Sequence, residues 1–121
     1  MAEFSTSIRE HGEVSIVNLK GFLDAHTAPS LENEFTKLID SNRFRIVVDF
    51  RDLAYISSAG LGVFMAYIEK IRENKGDIKL AGMSDKVFNI FDLLGFPLLY
   101  EIYKSEEEAI NKFDEKSSSE K

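Results

Sequence analysis

The sequence predicts a single α/β domain: a mixed, mostly parallel β-sheet with an N-terminal hairpin and about four helices, in the order β-β-α-β-α-β-α-β-α. Three patterns in the 121 residues lead to this prediction. Two short strand-like segments near the N-terminus are separated by a glycine-containing turn. An apolar run rich in β-branched residues lies mid-chain, and helix-like and strand-like segments then alternate. Because a crossover helix joins parallel strands, the strands after the hairpin should be parallel.

The first three elements are recognised by their turns and caps. Residues 4–9 and 14–19 form the predicted hairpin, joined by a short turn around Gly12. The first helix opens near Thr27, a residue type that suits the capping position, with Pro29 in the first turn. Apolar residues then recur at helical spacing, which predicts one buried helix face.

The central strand is predicted at residues 45–50, where the apolar run indicates burial on both faces of the sheet. Residues 49–55 show neither a strand nor a helix period, and we predict a loop there. A second helix then begins near Ser58 and ends near Asn74. The later predictions are a strand at residues 78–81, a helix capped by Ser84 and ended by Gly95, a strand at residues 98–103 and a helix capped by Ser105.

Length and composition indicate one soluble domain and exclude several classes of function. The domain is predicted to span residues 1–116, with a disordered polar tail at residues 117–121. The net charge of −6 argues against nucleic acid or an anionic membrane as a partner, since both require a basic surface. The absence of cysteine excludes disulfides, thiolate nucleophiles and cysteine zinc sites. With no long apolar run and no signal-peptide pattern, a cytoplasmic protein is expected.

Two enzymatic interpretations require catalytic or binding residues that the sequence contains only in part. A serine hydrolase needs a histidine beside Ser57 or Ser58, and His26 is the better placed candidate, but no Gly-x-Ser-x-Gly elbow is present. We favour His26 as a polar residue near a helix start. The Gly-Leu-Gly segment at residues 60–62 invites a dinucleotide interpretation, yet Met65 occupies the position of the third glycine.

A third enzymatic interpretation uses acidic residues near strand ends. Asp49 and Asp52 lie at and just beyond the end of the predicted central strand, and Asp24 follows another strand. A magnesium-dependent phosphate acceptor would need such carboxylates together, usually with a lysine. Hydrogen bonding of Asp49 and Asp52 to the loop backbone is the simpler interpretation. We predict no catalytic residue, no cofactor and no metal ligand.

Two hydroxyl groups lie where the second helix begins. Ser57 or Ser58 can cap the helix, which is what most serines at such a position do. One of them can also be a phosphorylation site, because unpaired N–H groups and the helix dipole favour a negative charge there. The two interpretations are compatible, and modification should change the surface without unfolding the domain.

The serine segment also resembles a known family. Residues 46–50 read Ile-Val-Val-Asp-Phe, and residues 55–62 read Tyr-Ile-Ser-Ser-Ala-Gly-Leu-Gly. Together with Leu53 they resemble the signature of STAS domains and, more narrowly, of bacterial anti-sigma factor antagonists. The similarity extends from about Phe4 to Phe113. It includes the Gly-Phe-Leu-Asp segment that ends at Asp24.

The resemblance implies a partner-switching mechanism. An unphosphorylated antagonist binds an anti-sigma factor that is also an ATP-dependent serine kinase, and the sigma factor is released. The kinase then phosphorylates the antagonist at the helix start and the complex dissociates; a serine phosphatase restores the active form. ATP and magnesium belong to the kinase, so the antagonist is not an enzyme. The implied partner-binding residues are Asp24, Ser57, Ser58 and Gly60.

Departures from the family pattern identify the acceptor. Many members carry aspartate at the position of Ser57, and some carry the accepting serine at the position of Ala59. Ser58 is therefore the predicted acceptor, with Ser57 as the alternative. Phe22 replaces an acidic residue common in its segment, which implies different kinase contacts.

One alternative function and the oligomeric state stay open at this point. The alternative is a STAS scaffold or transport-accessory domain that binds a protein partner constitutively, without phosphorylation. The chain is either a monomer or a weak dimer, with Phe96 or Leu98 as exposed apolar residues for self-association.

Overall fold

The structure is a computed structural model that describes residues 4–119. The strands are β1 (Ser5–His11), β2 (Val14–Leu23), β3 (Arg45–Ile56), β4 (Asp77–Ala81) and β5 (Ile102–Tyr103). The helices are α1 (Ala28–Asp40), α2 (Ser58–Glu73), α3 (Asp85–Leu93) and α4 (Glu106–Ser119). In these residues no helix is long and apolar enough to cross a membrane.

One five-stranded sheet, in the order β1-β2-β3-β4-β5, organises the domain. The hairpin strands β1 and β2 are antiparallel, whereas β3, β4 and β5 continue the sheet in parallel with β2. The predicted fold class and element order are therefore confirmed. Parallel pairing brings the C-terminal ends of β2, β3 and β4 to one end of the sheet, and helices α1, α2 and α3 start at that end.

Helices cover both faces of the sheet, as the apolar central strand requires. Helices α1, α2 and α3 pack on one face over the larger core, which includes Val48 and Phe50 of β3. Helix α4 covers part of the other face, where Val47 contacts the smaller core around Phe113. Successive residues at positions 46–48 of β3 thus point alternately into two different cores, which explains why this run is apolar on both faces of the sheet.

The predicted loop at residues 49–55 is wrong, because β3 continues to Ile56. The pairing of β2 with β3 shifts register twice, between Asn18 and Lys20 and between Gly21 and Phe22. Each irregularity puts an extra residue in β3 and breaks the period of two by which a strand is recognised. The pairing of β3 with β2 therefore continues through residues in which apolar and polar side chains do not alternate.

The segment after α3 also differs from the prediction. A strand was expected at residues 98–103, but only Ile102–Tyr103 forms one, preceded by a short 3₁₀-helix at Phe96–Leu98. The ring of Phe96 is buried and stacks on Tyr100 at 5.5 Å, so Phe96 is not available for self-association. Leu98 is 91% exposed, in agreement with the expectation for that residue.

The C-terminal boundary stays a prediction. Helix α4 continues to Ser119, past the predicted start of the tail at residue 117, and residues 120–121 lie outside the described part of the chain. The predicted cap of α4 is present, since Ser105 Oγ accepts a hydrogen bond from the Glu108 N–H at 3.2 Å.

A hydrogen-bonded pair of carboxyl groups joins the start of α4 to the sheet. The Asp49 side chain in β3 is 2% exposed, and it hydrogen-bonds to Glu106 at the start of α4. Arg9 of β1 completes the cluster with an ion pair to Glu106 at 2.5 Å. Burial and the hydrogen bond with Glu106 raise the pKa of Asp49. Burial opposes ionisation of Glu106, but its hydrogen bonds with Arg9 and Asp49 outweigh that effect and lower its pKa.

This cluster predicts a pH-dependent effect of Asp49→Asn. An acid whose pKa is raised by folding contributes stability that is present below its unfolded pKa and is lost as the pH rises through its folded pKa. Relative to the Asn variant, the wild type should therefore lose stability as the pH rises above about 4, the ordinary pKa of an aspartate, and through the raised pKa of Asp49. Urea unfolding of both proteins across this range measures the difference, and parallel stability curves would contradict the assigned pKa direction.

Candidate functional site at the start of helix α2

Ser57 is the N-cap residue of α2 and lies at the junction of β3 and the helix. Its backbone is extended, with φ of −100° and ψ of 174°, and its N–H donates to the Leu23 carbonyl at 2.9 Å. Its Oγ accepts a hydrogen bond from the Gly60 N–H at 3.4 Å. The half-buried Ser57 hydroxyl thus serves as the cap, which is one of the two roles predicted for the serine pair.

Ser58 is the first residue of α2, and its environment differs from that of Ser57. Its side chain is exposed, and its hydroxyl has no hydrogen-bond partner within the described residues. The backbone N–H groups of the first turn have no partner four residues earlier, so the dipole and these donors favour a negative charge beside Ser58. Chemically, this hydroxyl is the accessible one of the pair.

Asp24 lies at the same end of the sheet, immediately after β2. Its Oδ1 accepts hydrogen bonds from the backbone N–H groups of His26 at 2.9 Å and Thr27 at 3.3 Å. Asp24 follows Leu23, whose carbonyl binds the Ser57 N–H, so the sheet places Asp24 beside the serine pair. The predicted proximity of Asp24, Ser57 and Ser58 therefore has a structural basis in this strand pair.

Thr27 was expected to cap α1, and this prediction is wrong in its detail. Thr27 occupies the N-cap position, but its hydroxyl makes no capping hydrogen bond. The Oγ1 instead donates to the Phe22 carbonyl at 2.9 Å and accepts from the Asp24 N–H at 2.8 Å. The residue already has a helical backbone, and its hydroxyl fastens the loop back onto the end of β2.

The glycines at residues 60 and 62 have different surroundings. Gly60 is buried, and a Cβ there would lie 2.8 Å from Leu23 Cγ and 3.0 Å from Ile56 Cγ1. A Cβ on Gly62 would meet nothing within 4 Å. Gly60 therefore allows the helix start to approach apolar side chains of β2 and β3, whereas Gly62 faces open space. The expectation of close packing is confirmed for Gly60 alone, and its contact with a partner stays a prediction.

This difference predicts opposite effects of two alanine substitutions. Gly60→Ala should lower the free energy of unfolding by about 1–2 kcal/mol, because buried side chains must move. Gly62→Ala, the matched control, should raise it by about 0.5–1 kcal/mol, since alanine restricts the unfolded chain and favours the helix. Urea denaturation measures both changes, and equal effects of the two substitutions would refute this description of the helix start.

The acidic and histidine alternatives are not assembled into a catalytic site in the described residues. No group of three or more histidine and acidic residues there could hold a metal ion, so Asp24, Asp49 and Asp52 do not form one. Asp49 Oδ1 accepts a hydrogen bond from the Arg51 N–H at 3.0 Å, which is the simpler role predicted for it. Among the described residues, the exposed His26 makes no hydrogen bond to either serine, and its backbone N–H donates to Asp24 Oδ1 at 2.9 Å.

One feature at this end of the sheet was not predicted from the sequence. Phe22 and Tyr55 are register partners on β2 and β3, and their rings lie 5.8 Å apart at the surface. Because Tyr55 was placed in a loop, the two residues could not be paired from the sequence. The pairing could have been predicted only if β3 had been recognised as a strand that continues to Ile56.

Comparison with known proteins places this geometry in a family. Residues 5–109 match the STAS domain family model. Over 88 residues the chain is 30% identical to the anti-sigma-B factor antagonist of Listeria monocytogenes, covering 73% of this chain and 77% of that protein.

Two solved structures have the same fold. One is an anti-sigma factor antagonist from Mycobacterium paratuberculosis, with a TM-score of 0.84 and 23% identity over 91% of this chain and 93% of that one. The other is the Bacillus cell fate determinant SpoIIAA in its phosphorylated form, with a TM-score of 0.72 and 21% identity over 90% and 99% of the two chains. With the family model matching most of its length, the chain belongs to the STAS domain family.

Proposed function

We propose that this protein is an anti-sigma factor antagonist that works by partner switching in the cytoplasm. Its unphosphorylated form binds an anti-sigma factor with serine kinase activity and thereby frees a sigma factor. Phosphorylation of Ser58 by that kinase ends the interaction, and a serine phosphatase reverses the modification. The chain itself catalyses no reaction in this scheme.

The exposed hydroxyl of Ser58 is the observation that supports this proposal most strongly. Ser57 Oγ already accepts the Gly60 N–H, so phosphorylation of Ser57 would disturb the helix cap. Ser58 is one residue further, exposed and without such a bond. A kinase can therefore reach Ser58 without opening the structure, and the start of α2 offers N–H donors to the phosphate.

Relatives support the same role. The Listeria relative is named an anti-sigma-B factor antagonist, and a structure with this fold has been determined in a phosphorylated form. The candidate site offers a hydroxyl and backbone donors, and no group of acidic and histidine side chains within the described residues could hold a metal ion, which suits a surface that binds a partner.

Simple energetics explain how one phosphate can control binding. The modification adds a charge of about −1.5 to −2 at a neutral hydroxyl. The helix dipole favours that charge by roughly 0.3–1 kcal/mol in the free protein. In an interface shaped for a hydroxyl, the same charge loses solvent and has no partner, which costs several times more. The complex is therefore destabilised while the free domain is not.

Reconstitution tests the proposed function. The purified chain is added to a preformed complex of a sigma factor and its anti-sigma factor kinase, encoded by the same genome, with ADP in place of ATP. We expect stoichiometric release of the sigma factor. The release is detected by size-exclusion chromatography and by transcription from a promoter of that sigma factor. A chain that binds none of the anti-sigma factors encoded by that genome would contradict the proposal.

A matched variant extends the same experiment to the switch. Ser58→Ala should release the sigma factor as the wild type does, and it should continue to do so after ATP is added. The wild type should lose this activity with ATP. If ATP leaves sigma release by the wild type unchanged, constitutive binding without phosphorylation is the better description.

A further inference from the structure

An exposed aromatic pair lies beside the serine pair. Phe22 is 43% exposed and Tyr55 is 39% exposed, although rings of this size are usually more deeply buried. Their ring centroids are 5.8 Å apart with an interplanar angle of 45°, so they form one continuous apolar surface. Neither residue belongs to the two cores that hold the domain together.

The backbone holds this pair in a fixed position. The β2–β3 register shifts between Gly21 and Phe22, and Gly21 has a φ of +94° that favours glycine. Irregularities of this kind bend a strand and redirect the side chains that follow. The Phe22 carbonyl also accepts the Thr27 hydroxyl at 2.9 Å. The rings are thus presented by paired strands and a fastened loop, so little ordering is needed when a partner binds.

The pair is continuous with the candidate phosphorylation site. Tyr55 is three residues before Ser58 on the same chain segment, and Phe22 precedes Leu23, whose carbonyl binds the Ser57 N–H at 2.9 Å. A protein that contacts Ser58 at the end of the sheet therefore meets the aromatic pair within the same contact area. Leu98, in contrast, is near the far end of α2, since the neighbouring Leu99 carbonyl accepts a hydrogen bond from Arg72.

Charge and composition define the kind of partner that fits. Charged residues of both signs lie near the pair: Lys20 and Asp24 are each two residues from Phe22, and exposed Arg51 and Asp52 lie four and three residues before Tyr55. The whole chain carries a net charge of −6, which disfavours a second copy of itself as the partner. The complementary surface is an apolar pocket with polar residues around it. Buried aromatic anchors surrounded by polar contacts are the residues that dominate affinity in protein interfaces.

We infer that Phe22 and Tyr55 are the apolar anchor that binds an apolar pocket on the anti-sigma factor. The inference rests on the proposed function and adds residues that determine affinity and partner choice. In this arrangement the aromatic pair contributes affinity for the partner, and phosphorylation of Ser58, beside the pair, determines whether the complex dissociates.

Three variants and one control test the anchor. The unphosphorylated wild type, Phe22→Ala, Tyr55→Ala and the double variant are titrated against the anti-sigma factor with ADP present, and dissociation rates are measured by biolayer interferometry. We expect each single variant to bind at least tenfold more weakly, mainly through faster dissociation. Leu98→Ala, which removes an even more exposed apolar side chain far from Ser58, should bind within twofold of the wild type.

Further measurements separate the outcomes. Melting temperatures and circular dichroism show that the variants are folded, and Tyr55→Phe should keep wild-type affinity because the anchor needs the ring and not the hydroxyl. Wild-type affinity in the double variant would overturn the anchor while the proposed function stands. Absence of binding by the wild type would overturn both. A wild-type dimer that the double variant lacks, detected by sedimentation, would reassign the pair to self-association and overturn the proposed partner.

Discussion

Phosphorylation of Ser58 should weaken binding to the anti-sigma factor by at least about 100-fold, which corresponds to about 2.7 kcal/mol. The reason is the contrast between the two states of this side chain. The hydroxyl is neutral and exposed at the first turn of α2. A phosphate there is well solvated in the free domain but has to lose that solvation in the complex without gaining a counter-ion. Isothermal titration calorimetry of the enzymatically phosphorylated and unmodified proteins measures the difference.

Two alanine variants serve as controls for this result. Ser58→Ala should bind the anti-sigma factor with a dissociation constant within about threefold of the wild-type value, because the Ser58 hydroxyl makes no hydrogen bond that stabilises the fold. Ser57→Ala should instead lower stability by about 0.5–2 kcal/mol, since it removes the helix cap seen at Gly60 N–H. A phosphorylated protein that binds as tightly as the unmodified one would refute the switch, whatever residue carries the phosphate.

Gly76→Ala should be the most damaging small substitution that the structure identifies, with a loss of about 2–4 kcal/mol in the free energy of unfolding. Gly76 joins α2 to β4, and a Cβ on it would lie 1.9 Å from the carbonyl oxygen of Phe44. That oxygen also accepts the Asp77 N–H at 2.9 Å, which helps to start β4 beside β3. A backbone atom fixed in this way cannot move aside as a side chain could.

Urea denaturation measures the effect of Gly76→Ala, with Gly62→Ala as the control. The control makes the same chemical change in an open position and is expected to stabilise the domain. Surface substitutions usually change the free energy of unfolding by no more than about 0.5 kcal/mol. If Gly76→Ala changes it by no more than this, the α2–β4 connection is not as closely packed as described.

The sequence predicts the elements with strong periodicity or clear caps. The hairpin, the central strand, α2 and the caps at Ser84 and Ser105 are all confirmed. These features depend on local patterns: alternating apolar residues, hydroxyls at helix starts and glycines at helix ends.

Features that depend on long-range pairing were not predictable in the same way. The second half of β3 has two consecutive exposed residues at Arg51 and Asp52 because its pairing with β2 is irregular. No local pattern indicates such a strand. The link between Asp49 and Glu106 likewise joins residues far apart in the chain, and only the fold brings the start of α4 onto the sheet.

The candidate site was predictable in position but not in detail. The serine pair at the start of α2 was evident from the sequence, yet the division of roles between its members was not. The structure assigns the cap to Ser57, through the Gly60 N–H, and leaves Ser58 exposed. The aromatic pair was missed because Phe22 and Tyr55 are 33 positions apart and meet only through the strand register.

Phosphopeptide mapping tests the central claim most directly. The wild type, Ser58→Ala and Ser57→Ala are each incubated with ATP, magnesium and an anti-sigma factor kinase that binds the wild type, and intact mass is then measured. We expect one added phosphate in the wild type and in Ser57→Ala, mapped to Ser58, and none in Ser58→Ala. An unmodified wild type, despite demonstrated binding to an active kinase, would contradict the claim that phosphorylation at the start of α2 controls this protein.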